Sequence, residues 1–205
     1  MKSNSFGIDE AGRGPLAGPV SVAVFGWSKR PFDHGGLKDF PKGKDSKKMS
    51  EKEREKWMGI FEEEKRKGNV FFEQAFSSAL VIDKKGIVFA INSAMRKCLV
   101  KLEKVGLNKD STILLDGALR APSEFSFQKT IIKGDEKERV IACASIVAKV
   151  RRDAFMIKIS EKYSEYGLDV HKGYGTLKHQ KAIQKHGLSN IHRKSFCKSI
   201  LPLSN

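Results

Sequence analysis

Four acidic residues stand where an α/β fold could bring their side chains together. Asp9 and Glu10 end the first apolar segment, directly before a glycine-rich turn, and Asp116 ends a second short apolar segment. Asp135 stands at the entrance to a long helical stretch. Because carboxylates at strand ends and helix starts can converge on one crevice, and because clustered acids repel each other unless cations hold them, we expect a Mg²⁺ or Mn²⁺ site. Two such ions can activate a water and stabilise the leaving oxygen in phosphodiester cleavage.

Each acid taken alone has a simpler interpretation. A single Asp at a strand end is commonly a turn residue or a helix cap, and Asp135 could cap the helix that follows it. The metal hypothesis therefore depends on the whole set, and on its setting in a basic chain. The 205 residues include 39 Lys and Arg against 24 Asp and Glu, a net charge of +15. Acids at the centre of such a chain suit an enzyme that grips a polyanion and cuts it at a metal centre.

Composition narrows the class of protein. The positive charge favours nucleic acid, acidic lipid or a heparin-like sugar as partner. With 40% hydrophobic residues and 13 Phe, the chain is not a disordered basic tail. No apolar run is long enough to span a membrane, and acids stand where a signal peptide needs an apolar run. The three cysteines are far apart and suit neither a disulfide framework nor a zinc cluster, so we expect a cytoplasmic protein.

The glycine-rich turn after Glu10 has two interpretations. Gly12, Gly14 and Ala17 match the spacing of a dinucleotide-binding fingerprint. We reject that interpretation because two carboxylates precede the turn, where they would repel a pyrophosphate, and because a strand follows it instead of a helix. The glycines more plausibly let backbone N–H groups approach a sugar-phosphate closely.

Basic and aromatic residues supply candidate contacts to a nucleic acid. Ala142, Ser145, Lys149 and Arg152 fall on one stripe of the long helical stretch, and this stripe fits a small-residue packing face as well as a site rim. We expect Asp153 to form a local ion pair with a basic side chain. Residues 149–205 hold 12 Lys and Arg against 4 Asp and Glu, and four of the five histidines, whose spacing is not that of a zinc motif. In this region Tyr174 lies between two glycines, where its ring could stack on a sugar or base or simply anchor the loop.

The elements that must position these residues follow from periodicity and from turn and cap signals. Strands are predicted over residues 5–8 and 20–25, as an antiparallel pair, and over 69–75, 113–115 and 125–132. Helices are predicted from the cap Ser50 to about Lys67, over 78–105, over 138–166 and from the cap Thr176 to before Gly187. This order predicts an α/β fold with a mixed sheet flanked by helices. We expect a catalytic domain over 1–168 and a basic helical C-terminal extension over 169–205.

Ordered motifs from residue 7 to residue 196 resemble the bacterial ribonuclease HII family. They are GIDEAGRGPLAGPV at 7–20, KDSKKMS at 44–50, LDG at 115–117, KGD at 133–135, ASIVAKV at 144–150, HKGYGT at 171–176 and HRKSF at 192–196. Because these motifs span nearly the whole chain in order, chance is a poor explanation. Departures, such as Cys143 where many relatives carry Ala, do not touch the four acids.

The resemblance implies an RNase H-like fold with a five-stranded mixed sheet. It implies cleavage of the RNA strand of RNA–DNA hybrids, and a nick 5′ of a single ribonucleotide in duplex DNA that leaves 3′-hydroxyl and 5′-phosphate ends. By motif position, it assigns a Mg²⁺- or Mn²⁺-binding role to the four acids, 2′-hydroxyl recognition to a glycine loop, and stacking on the sugar at an RNA-to-DNA junction to Tyr174. The acids are Asp9, Glu10, Asp116 and Asp135, and the loop is Gly12, Arg13 and Gly14. Lys47, Ser145, Lys149 and Arg152 would then contact the nucleic acid, mainly its phosphates.

Two alternatives stay open at this point. One is a basic nucleic-acid-binding protein, or a degenerate relative, that binds hybrids without cutting them. The other is a metal-dependent DNA nuclease of the same superfamily. We expect a monomer, and the last residues show no convincing sliding-clamp motif, which argues against a clamp contact.

Overall fold

A five-stranded mixed sheet forms the centre of the protein. The computed structural model describes residues 5–27, 40 and 48–200. The strands are β1 (Ser5–Ala11), β2 (Val20–Trp27), β3 (Val70–Ser77), β4 (Thr112–Asp116) and β5 (Gln128–Ile131), in the order β3-β2-β1-β4-β5. The pairs β1–β2 and β2–β3 are antiparallel, whereas β1–β4 and β4–β5 are parallel. The predicted mixed sheet and its antiparallel first pair are therefore confirmed.

Helices cover both faces of this sheet. They are α1 (Glu51–Arg66), α2 (Ala79–Lys85), α3 (Ile87–Glu103), α4 (Gly134–Lys137), α5 (Arg139–Ser160), α6 (Leu168–His171) and α7 (Leu177–His186). Two of the predicted caps are confirmed: the hydroxyl of Ser50 accepts from the N–H of Glu53, and that of Thr176 accepts from the N–H of His179. No described helix is long and apolar enough to cross a membrane.

Three predicted elements differ most from the observed ones. The single helix expected over 78–105 is wrong, because Gly86 adopts φ 83° and ψ 161° and divides it into α2 and α3. The helix expected over 138–166 ends at Ser160 and continues as a 3₁₀ helix over Glu161–Tyr166, with non-helical dihedral angles at Tyr163. The strand expected over 125–132 is limited to Gln128–Ile131.

Two apolar layers fix the sheet between its helices. On one face, Phe6 and Ile8 of β1 pack with Met95 of α3; on the other, Phe25 of β2 packs with Ile141 of α5. Because side chains alternate along a strand, Asp9 points to the face covered by α5, and Ile8 points to the other face. The approach of α5 is close, since a Cβ on Gly7 would overlap the backbone of Val140.

A third apolar cluster joins the C-terminal residues to the rest of the fold. Leu168, Ile183 and Cys197 pack there with Leu16 from the glycine-rich turn and Met156 from α5. The C-terminal residues thus contact the turn that follows the first two acids. The division into domains at residue 168 stays a prediction.

Candidate active site

Parallel pairing of β1 and β4 brings two of the four acids together. Ile8 lies opposite Leu115 in the register, so Asp9 and Asp116 follow at the carboxyl ends of neighbouring strands. This edge is where an open α/β sheet forms its crevice. Glu10 follows Asp9 directly, and its backbone N–H donates to Asp9 Oδ1 at 2.7 Å. The convergence predicted from strand ends is therefore present for Asp9, Glu10 and Asp116.

These three acids line a cavity of about 560 Å³. Its other walls come from the glycine-rich turn, α1, α5 and the loop that precedes α7: Ala11, Gly12, Arg13, Gly14, Arg54, Ser145, Lys149 and Tyr174. Eight residues were predicted to contact the substrate, and seven of them lie in the described part of the chain. Six of these seven line the same cavity as the acids.

Asp9 and Glu10 are held in an environment that disfavours negative charge. Burial, with the adjacent charges of Glu10 and Asp116, raises the pKa of Asp9 well above its usual value, although a hydrogen bond from Ser145 opposes the shift. Burial also raises the pKa of Glu10, against the influence of Arg13, whose guanidinium lies 3.3 Å from Glu10 Oε1. A positive charge placed between these carboxylates would favour their ionised forms.

Asp135 lies beside this group without lining the cavity. The backbone N–H of Gly134 donates to Asp116 Oδ1 at 2.7 Å, which places Asp135 next to Asp116 in space. Asp135 is buried in the first turn of the short helix α4 and does not cap α5, because Glu138, with φ −120° and ψ 117°, separates the two helices. The left-handed backbone of Lys133 (φ 54°) makes this turn possible after β5.

The donor set fits a hard divalent cation. Carboxylate oxygens are the ligands that Mg²⁺ and Mn²⁺ prefer, and three carboxylates face one cavity. Within the described residues, no three His, Cys, Asp or Glu side chains already form a finished ligand set. The site therefore offers the oxygen donors that a hard divalent cation needs.

Arg152 has a different position from the one predicted. Its side chain is fully buried and donates to the carbonyls of Pro19, Ala17 and Lys172 at 3.0, 3.2 and 3.0 Å. The prediction that Arg152 holds a substrate phosphate is corrected, because its guanidinium faces the inside of the glycine-rich turn. Helical periodicity placed it on the same stripe as Ser145 but did not show that the turn covers it.

The remaining stripe residues do reach the cavity. The Lys149 ammonium pairs with Asp153 at 2.9 Å, which confirms the local pairing expected for that acid. Ser145 hydrogen-bonds Asp9 and so supports an acid as well as facing the cavity. The packing role that we left open for the stripe is also present, since Ala142 is buried against the sheet.

Tyr174 presents its ring at the cavity wall. The side chain is 43% exposed, and its ring centre lies 5.9 Å from Lys149 Nζ and 5.8 Å from Arg152 Cζ. Its backbone is fixed from below, because the Nδ1–H of His179 donates to the Tyr174 carbonyl at 2.9 Å. An aromatic ring that is partly exposed and held at its backbone can stack on a nucleotide.

The histidines of the C-terminal region are mostly internal. His171, His179 and His192 are buried, with a 3.1 Å contact between the Nε2 atoms of His179 and His192. His171 stacks on His179 with ring centres 4.3 Å apart. They form a packing cluster next to Tyr174, which confirms the packing role as one of the two expected for them.

Two residues complete the comparison with the sequence predictions. Lys47 lies outside the described residues, so its contact with substrate stays a prediction. Arg54 of α1 lines the cavity and was not predicted. Only its place one turn after the Ser50 cap could have indicated it, and that signal is common to many surface arginines.

Relatives with the same sequence pattern are known. The family model described as Ribonuclease HII matches residues 6–199. Proteins named Ribonuclease HII from Caldicellulosiruptor bescii and Fusobacterium nucleatum are 42% and 39% identical, over 96% and 97% of this chain and 88% and 87% of theirs. The ribonuclease H2 structure from Pyrococcus horikoshii OT3 superposes with a TM-score of 0.71 at 25% identity, covering 96% of both chains.

A more distant structure confirms the fold alone. Bst-RNase HIII, solved in complex with Mn²⁺, matches with a TM-score of 0.66 at 18% identity over 94% of this chain and 67% of its own. The predicted RNase H-like α/β fold is therefore confirmed. Family match, identity and coverage agree, and the chain belongs to the ribonuclease HII family and is a ribonuclease H-type hydrolase.

Proposed function

We propose that this enzyme nicks duplex DNA on the 5′ side of an embedded ribonucleotide, and cuts the RNA strand of RNA–DNA hybrids, leaving 3′-hydroxyl and 5′-phosphate ends. One observation carries the proposal: Asp9 and Asp116, at adjacent strand ends, share a cavity with a glycine turn and an open tyrosine ring. Acids can hold cations there, while the turn and the ring face the sugar on either side of the scissile bond.

Asp9, Glu10 and Asp116, with Asp135 beside them, would hold Mg²⁺ or Mn²⁺. Bound there, such ions supply a stronger water nucleophile and stabilise charge on the leaving oxygen. The raised pKa values of Asp9 and Glu10 fit carboxylates whose negative charge is balanced by a bound cation. Burial of Asp9 and its hydrogen bond from Ser145 keep this carboxylate in one orientation during the reaction.

Recognition of the ribonucleotide would depend on backbone groups and one ring. The 2′-hydroxyl is the group that distinguishes RNA from DNA at a given position. Gly14 has no heavy atom within 4 Å of the place where a Cβ would stand, so a sugar can approach its backbone closely. Tyr174 would stack on the neighbouring sugar, and Lys149, Arg54 and the exposed C-terminal cations would contact phosphates without reading sequence.

The basic character of the chain suits this substrate. An excess of 15 positive charges favours association with a polyanion, and the acids at the site need cations before a phosphate can approach. We place the enzyme in the cytoplasm as a monomer, and the absence of a convincing clamp motif in its last residues argues against a clamp contact. An Archaeoglobus fulgidus RNase HII solved in complex with PCNA shares the fold, at a TM-score of 0.67 and 24% identity.

The test compares two carboxylates of different position. Asp116→Asn removes a cavity acid with little change in shape, whereas Asp110→Asn changes an exposed acid in the loop before β4. With purified full-length protein, Mg²⁺ or Mn²⁺, and a duplex that contains one ribonucleotide, we expect D116N to lower the nicking rate by at least about a hundredfold. D110N should stay within about twofold.

Three results would contradict the proposal. An intact substrate with wild-type protein in both metals would favour a protein that binds without cutting. Equal cutting of an all-DNA duplex would favour a DNA nuclease. Unchanged nicking by D116N would separate the activity from this cavity.

A further inference from the structure

Arg193 is a buried cation that the proposed chemistry does not use. Its side chain is completely inaccessible to solvent, and its guanidinium donates to three carbonyls of the glycine-rich turn. The distances are 2.6 Å to Gly12 O, 2.9 Å to Arg13 O and 2.9 Å to Gly18 O. Hydrogen bonds from a charged donor are stronger than neutral ones, so these three fix the turn firmly.

The backbone around Arg193 extends the same contact. The Arg193 N–H donates to Leu16 O at 2.7 Å, and the Gly18 N–H donates to Ile191 O at 2.8 Å. Ala17 and His192 form an isolated antiparallel bridge between these two bonds. Residues 191–193 therefore lie along the turn like a short strand and fix its backbone by hydrogen bonds.

The direction of these bonds decides what the turn presents to the cavity. In a trans peptide the C=O and the following N–H point in opposite directions, and the structure contains no cis peptide bond among its described residues. Because Arg193 draws the carbonyls of Gly12 and Arg13 inward, the N–H groups of Arg13 and Gly14 point outward. Both residues line the cavity, and no acceptor within the described part of the chain takes either N–H.

We propose that Arg193 is a positioning residue for ribonucleotide selectivity, which aims the N–H groups of Arg13 and Gly14 at the sugar in the cavity. This inference rests on the proposed function, since it assumes that the turn contacts the sugar that bears the 2′-hydroxyl. It assigns a role to the HRKSF motif, which lies far from the acids in sequence. Arg193 acts through the turn and does not touch the substrate.

A second contact anchors Arg193 from the surface. The carboxylate of Asp83 in α2 accepts from the backbone N–H groups of Lys194 and Ser195 at 2.8 and 2.9 Å, and from the Ser195 hydroxyl at 2.5 Å. Although burial opposes the shift, these bonds lower the pKa of Asp83. Asp83 therefore fixes the segment that carries Arg193, and a change at Asp83 reaches the turn without altering the buried guanidinium.

Lysine should not replace arginine here. Three carbonyls from separate peptides are matched by Nε and both terminal nitrogens of one planar guanidinium, whereas an ammonium is a point donor on a flexible stem. Arg193→Lys keeps the charge and removes the fixed geometry. The control is Arg66→Lys, the same change at an exposed arginine at the end of α1.

The experiment measures selectivity in binding. In the Asp116→Asn background, in which cleavage is slow, dissociation constants are measured by fluorescence anisotropy for a duplex with one ribonucleotide and for the matched all-DNA duplex. We expect Arg193→Lys to weaken binding of the ribonucleotide duplex about tenfold, or about 1.4 kcal/mol, and to change all-DNA binding by less than about twofold. Amide exchange at Gly18, whose N–H is bonded to Ile191 O, should also become faster.

An equal loss for both duplexes, or no loss, would overturn the positioning role. If Arg193→Lys does not fold, Asp83→Asn should give the same selective loss at smaller size, and unchanged selectivity in that variant would overturn the inference. Failure of the proposed function gives a different result: the Asp116→Asn parent binds both duplexes equally and wild type leaves the ribonucleotide duplex intact. Wild type that nicks, with a parent that discriminates and an Arg193→Lys variant that discriminates equally, contradicts the inference alone.

Discussion

Substitution of Gly12 by alanine should destabilise the whole protein, whereas the same change two residues later should not. Gly12 has φ +86°, and a Cβ there would overlap the Nε and Cδ atoms of Arg152. Gly14 has no such φ, and nothing lies within 4 Å of its added Cβ. The pair tests whether the turn is held rigidly from inside.

The magnitude follows from two contributions. An alanine in the left-handed region costs about 1–2 kcal/mol. Displacement of Arg152 weakens at least one of its three bonds to buried carbonyls, and a hydrogen bond to a charged group contributes about 1.5–3 kcal/mol. We therefore expect Gly12→Ala to lower the free energy of unfolding by about 3–5 kcal/mol. Gly14→Ala should leave it unchanged or raise it by up to about 1 kcal/mol.

Equilibrium unfolding in urea, followed by circular dichroism, measures the free energy of unfolding of each variant. At this chain length a loss of 3–5 kcal/mol corresponds to a fall in Tm of about 10 °C. Equal stability of the two variants, or a loss under about 1 kcal/mol for Gly12→Ala, would refute the claim that Arg152 and the turn form one rigid unit.

Three further results are expected. Burial, with the nearby His179 and His171, lowers the pKa of His192 to about 4, against the opposing effects of a hydrogen bond with the Ser189 backbone and of Glu165. Since an unfolded His titrates near 6.5, the unfolded state binds an extra proton between these two pH values. Urea unfolding should therefore show the free energy of unfolding falling by about 2 kcal/mol from pH 7.5 to pH 5. A flat profile over that range would contradict the buried, neutral His192. Tyr174→Ala should reduce cleavage of a duplex with a single ribonucleotide more than cleavage of a uniform RNA–DNA hybrid, and Tyr174→Phe should cleave both substrates nearly as wild type does. Equal losses of cleavage on the two substrates would count against stacking at the junction. The logarithm of duplex affinity should fall with the logarithm of salt concentration, with a slope of roughly −0.9 for each phosphate neutralised, whereas a salt-independent affinity would exclude phosphate contacts as the main source of binding.

The acids were predictable because their position depends on topology alone. Asp9 and Asp116 end two apolar strands, and parallel strands of an α/β sheet end at the same edge. Periodicity also predicted, in outline, the order of strands and helices along the chain. It did not predict the break at Gly86, because helical spacing continues on both sides and only the backbone of that residue differs.

The supports of the site were not predictable from the sequence. Arg152 and Arg193 are basic residues in a basic region, and nothing in their spacing separates a buried donor to carbonyls from a surface contact to phosphate. Five of the six carbonyls that these two arginines bind belong to a turn more than 130 residues away. Such pairings depend on how the C-terminal segment packs, and side-chain type does not report that.

The position and chemistry of the cut test the central claim most directly. Wild-type protein and Mg²⁺ or Mn²⁺ are incubated with a duplex that carries one ribonucleotide, labelled at either end of that strand, beside a matched duplex with deoxyribose at the same site. We expect one nick on the 5′ side of the ribonucleotide, with 3′-hydroxyl and 5′-phosphate ends, no nick in the all-DNA duplex, and no nick after metal removal with EDTA. Cleavage that persists in EDTA would contradict a metal site at the cluster of acids. Equal cleavage of the all-DNA duplex would contradict recognition of the ribose by the glycine-rich turn.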